Sequence, residues 1–172
     1  PSGDDAGGNQ RRDKCRAPRT QGARASVTKA IRLTMVYAVI DTNVFVSAYI
    51  TRNMESATSK VVTNMLKGKI KPLYNDEIWA EYDEVLSRKH FRISQRELDT
   101  LFSFLRINGI YTERTEFKNL FIDESDRVFY EVMLSEEGSF LVTGNLKHFP
   151  KAPRVVTPAQ MLEILEKEPE SK

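Results

Sequence analysis

The chain has a single cysteine, Cys15, a single tryptophan, Trp79, and two histidines, His90 and His148. One cysteine excludes an internal disulfide. Two histidines leave a histidine acid–base nuclease to depend on that one pair. His90 follows Arg88 and Lys89 at a helix end and reads as a surface residue, whereas His148, beside Lys147, is placed to touch phosphate. No apolar run approaches the ~20 residues that span a bilayer, which argues against a membrane-embedded chain. Nor is there a secretion signal with an apolar centre, so a reducing cytoplasm is the default expectation. The 172 residues, 40% of them apolar and 9% aromatic, suit one globular domain.

Charge is unevenly spread. Residues 1–34 carry eight Lys/Arg against three Asp, while the remaining 138 carry eighteen against twenty-one Asp/Glu. The first segment is rich in Gly, Arg, Gln, Asp and Ser and lacks apolar periodicity, so it reads as disordered. Two accounts fit it: a basic arm for nucleic acid, or sequence foreign to the domain and upstream of a start at Met35. The globular part is then 35–172, and it is mildly acidic.

Within that part, VYAVI at Val36–Ile40 is continuously apolar and meets Asp41, as a parallel strand covered on both faces would. Helices are expected from Val44 to Ile50 and from Glu55 to Leu66, the second stopped by Gly68. IKPLY, residues 70–74, reads as a strand. Asp76 is placed to cap a helix carrying Ile78, Trp79, Tyr82, Val85 and Leu86. Ser94 with Glu97 forms a capping-box pattern that opens a helix to about Asn108, ended by Gly109. Asp123 and Asp126 bracket the start of a helix bearing Val128, Phe129, Val132 and Met133, ended by Gly138. SFLVTGN and RVV supply further strands, and Pro158 opens a last helix. Strands alternating with helices, without repeats, predict an α/β fold: an α/β/α sandwich around a mostly parallel sheet.

Ligands of such folds bind at the carboxyl ends of strands. Asp41 and Asn145 stand there. Glu81 lies on the stripe of Ile78 and Val85, and Asp126 is in line with Phe129 and Met133. A free carboxylate in apolar surroundings is costly without a positive partner. The helix N-terminus would favour Asp126 by roughly 0.3–1 kcal/mol, too little to hold several carboxylates together. A shared divalent cation explains all four residues at once. Each also has a local use: Asp41 as a helix cap, Asp126 with Asp123 as a helix start, Glu81 in a surface ion pair, Asn145 as a turn residue.

Four segments together resemble the PIN domain, a metal-dependent ribonuclease fold. VYAVIDTNVFVSAYI is similar to its first strand and helix, NDEIWAEYDEVLSRKHF to its second motif, FIDESDRVFYEVM to its D-x-x-D segment, and FLVTGNLKHFP to its final strand motif. The likeness runs from Val36 to about Leu165 and looks closest to the bacterial and archaeal toxins of toxin–antitoxin pairs. It implies an acidic triad of Asp41, Glu81 and Asp126, with Asp123 as an accessory acidic position. Thr42 and Asn43 follow the first aspartate in the family's order, where they orient it. Thr143 would hold a metal-bound water or tie off its strand end. Asn145 departs from the aspartate many relatives carry. Its amide oxygen still suits a hard cation but brings no charge.

Mg²⁺ or Mn²⁺ is the implied cofactor, an RNA strand the implied substrate, and water the attacking group. A homodimer and an antitoxin protein that blocks the pocket are implied partners. Two other readings compete. One is a catalytically weak PIN-like module that binds RNA or protein, for which Asn145 speaks. The other is a phosphatase using Asp41 as phosphoryl acceptor. Such enzymes place a second aspartate two residues on, where this chain has Asn43.

Overall fold

A computed structural model describes residues 35–167. The basic segment 1–34 lies outside the described residues. Strand β1, Val36–Ile40, has Ala38, Val39 and Ile40 at 1% exposure or less. Successive strand side chains point to opposite faces, so three hidden in a row require cover on both sides of the sheet. Strands β2 (Ile70–Tyr74), β3 (Ile110–Tyr111), β4 (Phe140–Val142) and β5 (Val155–Val156) complete a sheet ordered β3-β2-β1-β4-β5. Every pairing is parallel. The expected α/β architecture is present, and its sheet is wholly rather than mostly parallel.

Six α-helices surround the sheet among the described residues: α1 Thr42–Thr51, α2 Ala57–Leu66, α3 Asp76–Leu86, α4 Gln95–Asn108, α5 Arg127–Ser135 and α6 Pro158–Lys167. Their starts follow local chemistry. Ser56 caps α2 by accepting from the Ser59 N–H. Ser94 and Glu97 make both bonds of the capping box at α4. Asn75, not Asp76, caps α3: its side chain accepts from the Ile78 N–H at 2.9 Å, and Asp76 falls in the first turn, where its charge suits the helix dipole. Gly68 and Gly138 follow α2 and α5 at φ +79°, a left-handed conformation that glycine adopts without strain. At Gly109 a Cβ would come within 2.5 Å of the Leu105 carbonyl oxygen and 2.7 Å of Tyr74, so the chain can pass from α4 into β3 only without a side chain.

β3 itself was not expected. Its two residues are exposed, and it exists only because Ile110 and Tyr111 pair with Leu73 and Tyr74. From Thr112 to Asp126 the chain is irregular, apart from turns, before α5 begins. The core is one continuous cluster joining β1, β2 and β4 to the inner faces of the helices, with Phe45, Tyr82 and Phe129 among its largest members. Among the described residues no helix is long and apolar enough to cross a membrane.

The topology fixes where a ligand can enter. From β1 the chain moves outward through β2 to β3, then returns to the other side of β1 to lay down β4. The crevice where the winding reverses opens at the carboxyl ends of β1 and β4. Asp41 and Thr143 are the next residues on those two strands.

Candidate metal centre

Asp41 is 3% exposed. Its Oδ1 accepts the backbone N–H of Asn43 at 3.0 Å, which caps α1 and lets the helix begin at Thr42, two residues earlier than expected. Its Oδ2 accepts the Thr143 hydroxyl at 2.6 Å across the β1–β4 seam. The local and functional readings of Asp41 therefore coexist: one oxygen caps, and the carboxylate still faces the crevice. Two hydrogen bonds at ~1–3 kcal/mol each do not repay removing a carboxylate from water, which costs several kcal/mol. Burial accordingly raises the Asp41 pKa, with the bonds to Thr143 and Asn43 pulling it down and the Asp126 charge pushing it up.

Glu81 projects from α3 on the predicted stripe, between the buried Ile78 and the half-buried Val85. Its Oε1 accepts the Thr42 hydroxyl at 2.6 Å. Burial raises its pKa; the Thr42 bond opposes this, and the charges of Asp41 and Asp126 add to it. Tyr82, at the edge of that stripe in sequence, is wholly buried, and its hydroxyl donates to the Ile40 carbonyl at 2.5 Å. That bond pins α3 to the end of β1 and thereby places Glu81 beside Asp41.

Asp126 immediately precedes α5 with helical backbone angles, φ −80° and ψ −14°, and its side chain makes no capping bond. The carboxylate turns instead to His148, with Oδ2 at 2.8 Å from Nδ1. Burial raises its pKa, against the His148 hydrogen bond and with help from the charge of Asp123. Asp123 is exposed, and its Oδ1 accepts both the N–H and the hydroxyl of Ser125, at 3.0 and 2.7 Å. These bonds hold its pKa below the usual carboxylate value. It shapes the turn before α5 and still reaches the cluster, because ligand atoms of Asp123, Asp126 and His148 all lie within 4.8 Å of one another.

Of the accessory residues, Thr42 departs from the role the resemblance implies, while Asn43 and Thr143 act on Asp41 and its strand end. Thr42 holds Glu81 rather than Asp41. Asn43 acts through its backbone, and its side chain is exposed. Thr143 gives its hydroxyl hydrogen to Asp41 and accepts the Asn145 N–H at 3.0 Å, so it ties strand end, aspartate and following turn together. Asn145 is half-buried and fixed by its backbone at the start of a 3₁₀ turn, Leu146–His148. His90 sits in a surface 3₁₀ turn against Phe91, as expected.

Sequence reasoning missed Glu131, 2% exposed on α5. Arg114 meets it at 2.6 Å and Arg127 at 3.7 Å, and its Oε1 accepts the Phe117 N–H at 2.8 Å. Burial pushes this carboxyl up, but the Phe117 and Arg114 bonds prevail and its pKa is lowered. Arg127 also grips the carbonyls of Phe117 and Asn119, so Glu131 and its arginines build the irregular segment that carries Asp123 and Asp126. The signal was there: Glu131 stands between Val128 and Met133 in an otherwise apolar run.

Asp41, Glu81 and Asp126 thus share one electrostatic neighbourhood in which each disfavours ionisation of another. Among the described residues no lysine or arginine forms an ion pair with any of them, and His148 is the one basic partner. Hard oxygen donors in mutual repulsion fit a small divalent cation. A family model described as PIN domain matches residues 37–147. Comparison with curated proteins and with solved structures gave no match.

Proposed function

The chain belongs to the PIN domain family, whose members are typically metal-dependent nucleases, and from that premise we propose that it is an endoribonuclease cleaving RNA phosphodiester bonds with water. One observation carries the reading: among the described residues a carboxylate hidden at the β1–β4 crevice, Asp41, has hydrogen bonds but no lysine or arginine paired with it, and its charge and that of Asp126 are felt at Glu81. In this reading Asp41, Glu81 and Asp126 are the catalytic carboxylates, and with Asp123 and Asn145 they hold Mg²⁺ or Mn²⁺. An ion held by these residues would lower the pKa of a water and offset charge building on phosphorus.

The chain's own residues supply position. Thr143 and the Asn43 N–H each occupy one oxygen of Asp41, which fixes the carboxylate plane and leaves its remaining lone pairs for a ligand. Thr42 restrains one oxygen of Glu81 and frees the other. Lys147, exposed and next to His148 in the chain, is the cation this reading offers to the phosphate backbone. With the globular part mildly acidic, contact depends on such local cations, so affinity is modest. Single-stranded or loop RNA, whose bases and scissile phosphates are open, is the favoured substrate.

We further assign the protein as the toxin of a type II pair, acting as a homodimer in the cytoplasm and restrained by an antitoxin protein at the same pocket. The resemblance supports these assignments. Purified protein should cut RNA, EDTA should abolish the cut, and Asp41→Asn should weaken it by orders of magnitude. Cleavage untouched by either change defeats the proposal; RNA binding without cleavage in Mg²⁺ or Mn²⁺ favours the binding-module reading.

A further inference from the structure

We infer that His148 is itself a metal ligand, and that its nitrogen tunes the centre toward manganese and other transition ions over magnesium. The inference rests on the reading above in taking the acidic pocket as a cation site.

The placement of the imidazole is its first support. Neighbouring ligands about 2.1 Å from one octahedral ion stand roughly 3 Å apart, and opposed ones about 4.2 Å. His148 Nδ1 lies 2.8 Å from Asp126 Oδ2, and the Asp123, Asp126 and His148 atoms all fall within 4.8 Å. The Asp126–His148 spacing matches two neighbouring ligands of one ion, and Asp123 stands in the same cluster. The second support is how His148 is held. Its backbone N–H bonds the Asn145 carbonyl at 3.2 Å, the Asn145 N–H bonds Thr143, and Thr143 bonds Asp41. The imidazole is thus delivered by the strand end that also fixes the central aspartate. The third is chemical. Asn145 brings no charge to this motif, and an imidazole beside it replaces a hard donor with a softer one, which suits later transition ions better than magnesium.

The rival role for His148 is a counter-charge: an imidazolium that neutralises Asp126 and competes with any cation for it. The two roles predict opposite signs. Calorimetry on the full chain with Mn²⁺ alone and with Mg²⁺ alone should give Mn²⁺ at least about tenfold the tighter. His148→Asn should weaken Mn²⁺ by at least about tenfold, since losing even a supporting partner of a ligand costs that much. His148→Asp, which restores a hard oxygen, should narrow the gap between the two ions. If His148→Asn binds either ion as tightly as before, or tighter, the ligand role is wrong. A measurement on the unaltered protein guards against misfolded variants: pulsed EPR of its Mn²⁺ form should show nitrogen coupling to the ion, and water protons alone would overturn the inference. A wild-type chain that binds neither ion removes the nuclease proposal as well; one that binds ions without nitrogen coupling removes only this inference.

Discussion

Asp41 and Glu131 are equally hidden, at 3% and 2% exposure, and their surroundings are opposite. Glu131 is met by two guanidinium groups and a backbone N–H, and its pKa is lowered. Asp41 receives a hydroxyl and a backbone N–H, no guanidinium, and its pKa is raised. The same chain therefore supplies arginine where a buried carboxylate builds structure and withholds it where a carboxylate faces the crevice. Among the described carboxylates those held above their usual pKa gather at one place, and that place is the topological switch point.

The hardest blow to this contrast should come from Glu131→Ala. It leaves Arg114 with Glu77 and Arg127 with Glu124 but removes the buried carboxylate that joins both arginines to the Phe117 N–H, and so loosens the segment that carries Asp123 and Asp126. Chemical denaturation should show a loss of about 3 kcal/mol, the low end for breaking a buried pair because Arg114 is partly exposed. A loss under ~1 kcal/mol would mean the two carboxylates are not different in kind. Asp41→Asn should behave in the opposite way. It should leave the metal-free stability unchanged or raised, since it removes a repelled charge, while RNA cleavage drops at least about a hundredfold, or ~2.7 kcal/mol of barrier. Strong destabilisation of the metal-free variant would place Asp41 with Glu131 as a structural residue.

Acid titration of the metal-free domain sharpens the pair. Native Asp41 keeps its proton to a higher pH than in the unfolded chain, whose aspartates titrate near 3.9. Between those values the native state is the more protonated one, so the Asp41 contribution falls as pH rises. Glu131 runs the other way, its contribution present at neutral pH and lost as pH falls through its lowered native value. Wild-type stability minus that of Asp41→Asn should therefore become more negative from pH 4 to pH 7 without metal, and Mn²⁺ should erase the trend. A flat difference contradicts it. The smallest effect belongs to Thr143→Val, which removes one donor from Asp41. It should cost about 1 kcal/mol, whereas Thr143→Ser should cost less.

Much of this was legible in the chain. VYAVI announced a strand covered on both faces, Ser94 and Glu97 a helix start, and Gly68 and Gly138 two stops, because each signal is local. β3 was not legible, since two exposed residues become a strand only through their neighbour β2. Asp41, Glu81 and Asp126 were visible as polar residues on apolar faces. Glu131 met the same criterion and was overlooked. Arg127 lies four residues from it on one helix, but Arg114 is seventeen residues away and joins only through the tertiary fold. His148 was visible as a residue type, while its approach to Asp126 depends on β4 docking beside β1.

The Thr143–Asp41 bond joins residues 102 positions apart. A ribosome that has emitted only β1 through α5 has exposed Asp41, Glu81 and Asp126, yet the hydroxyl that aligns the first of them is still untranslated or inside the exit tunnel. On the nuclease reading the site would be assembled only once synthesis has passed β4, and the nascent chain would meet the transcript before that point without its aligned carboxylate.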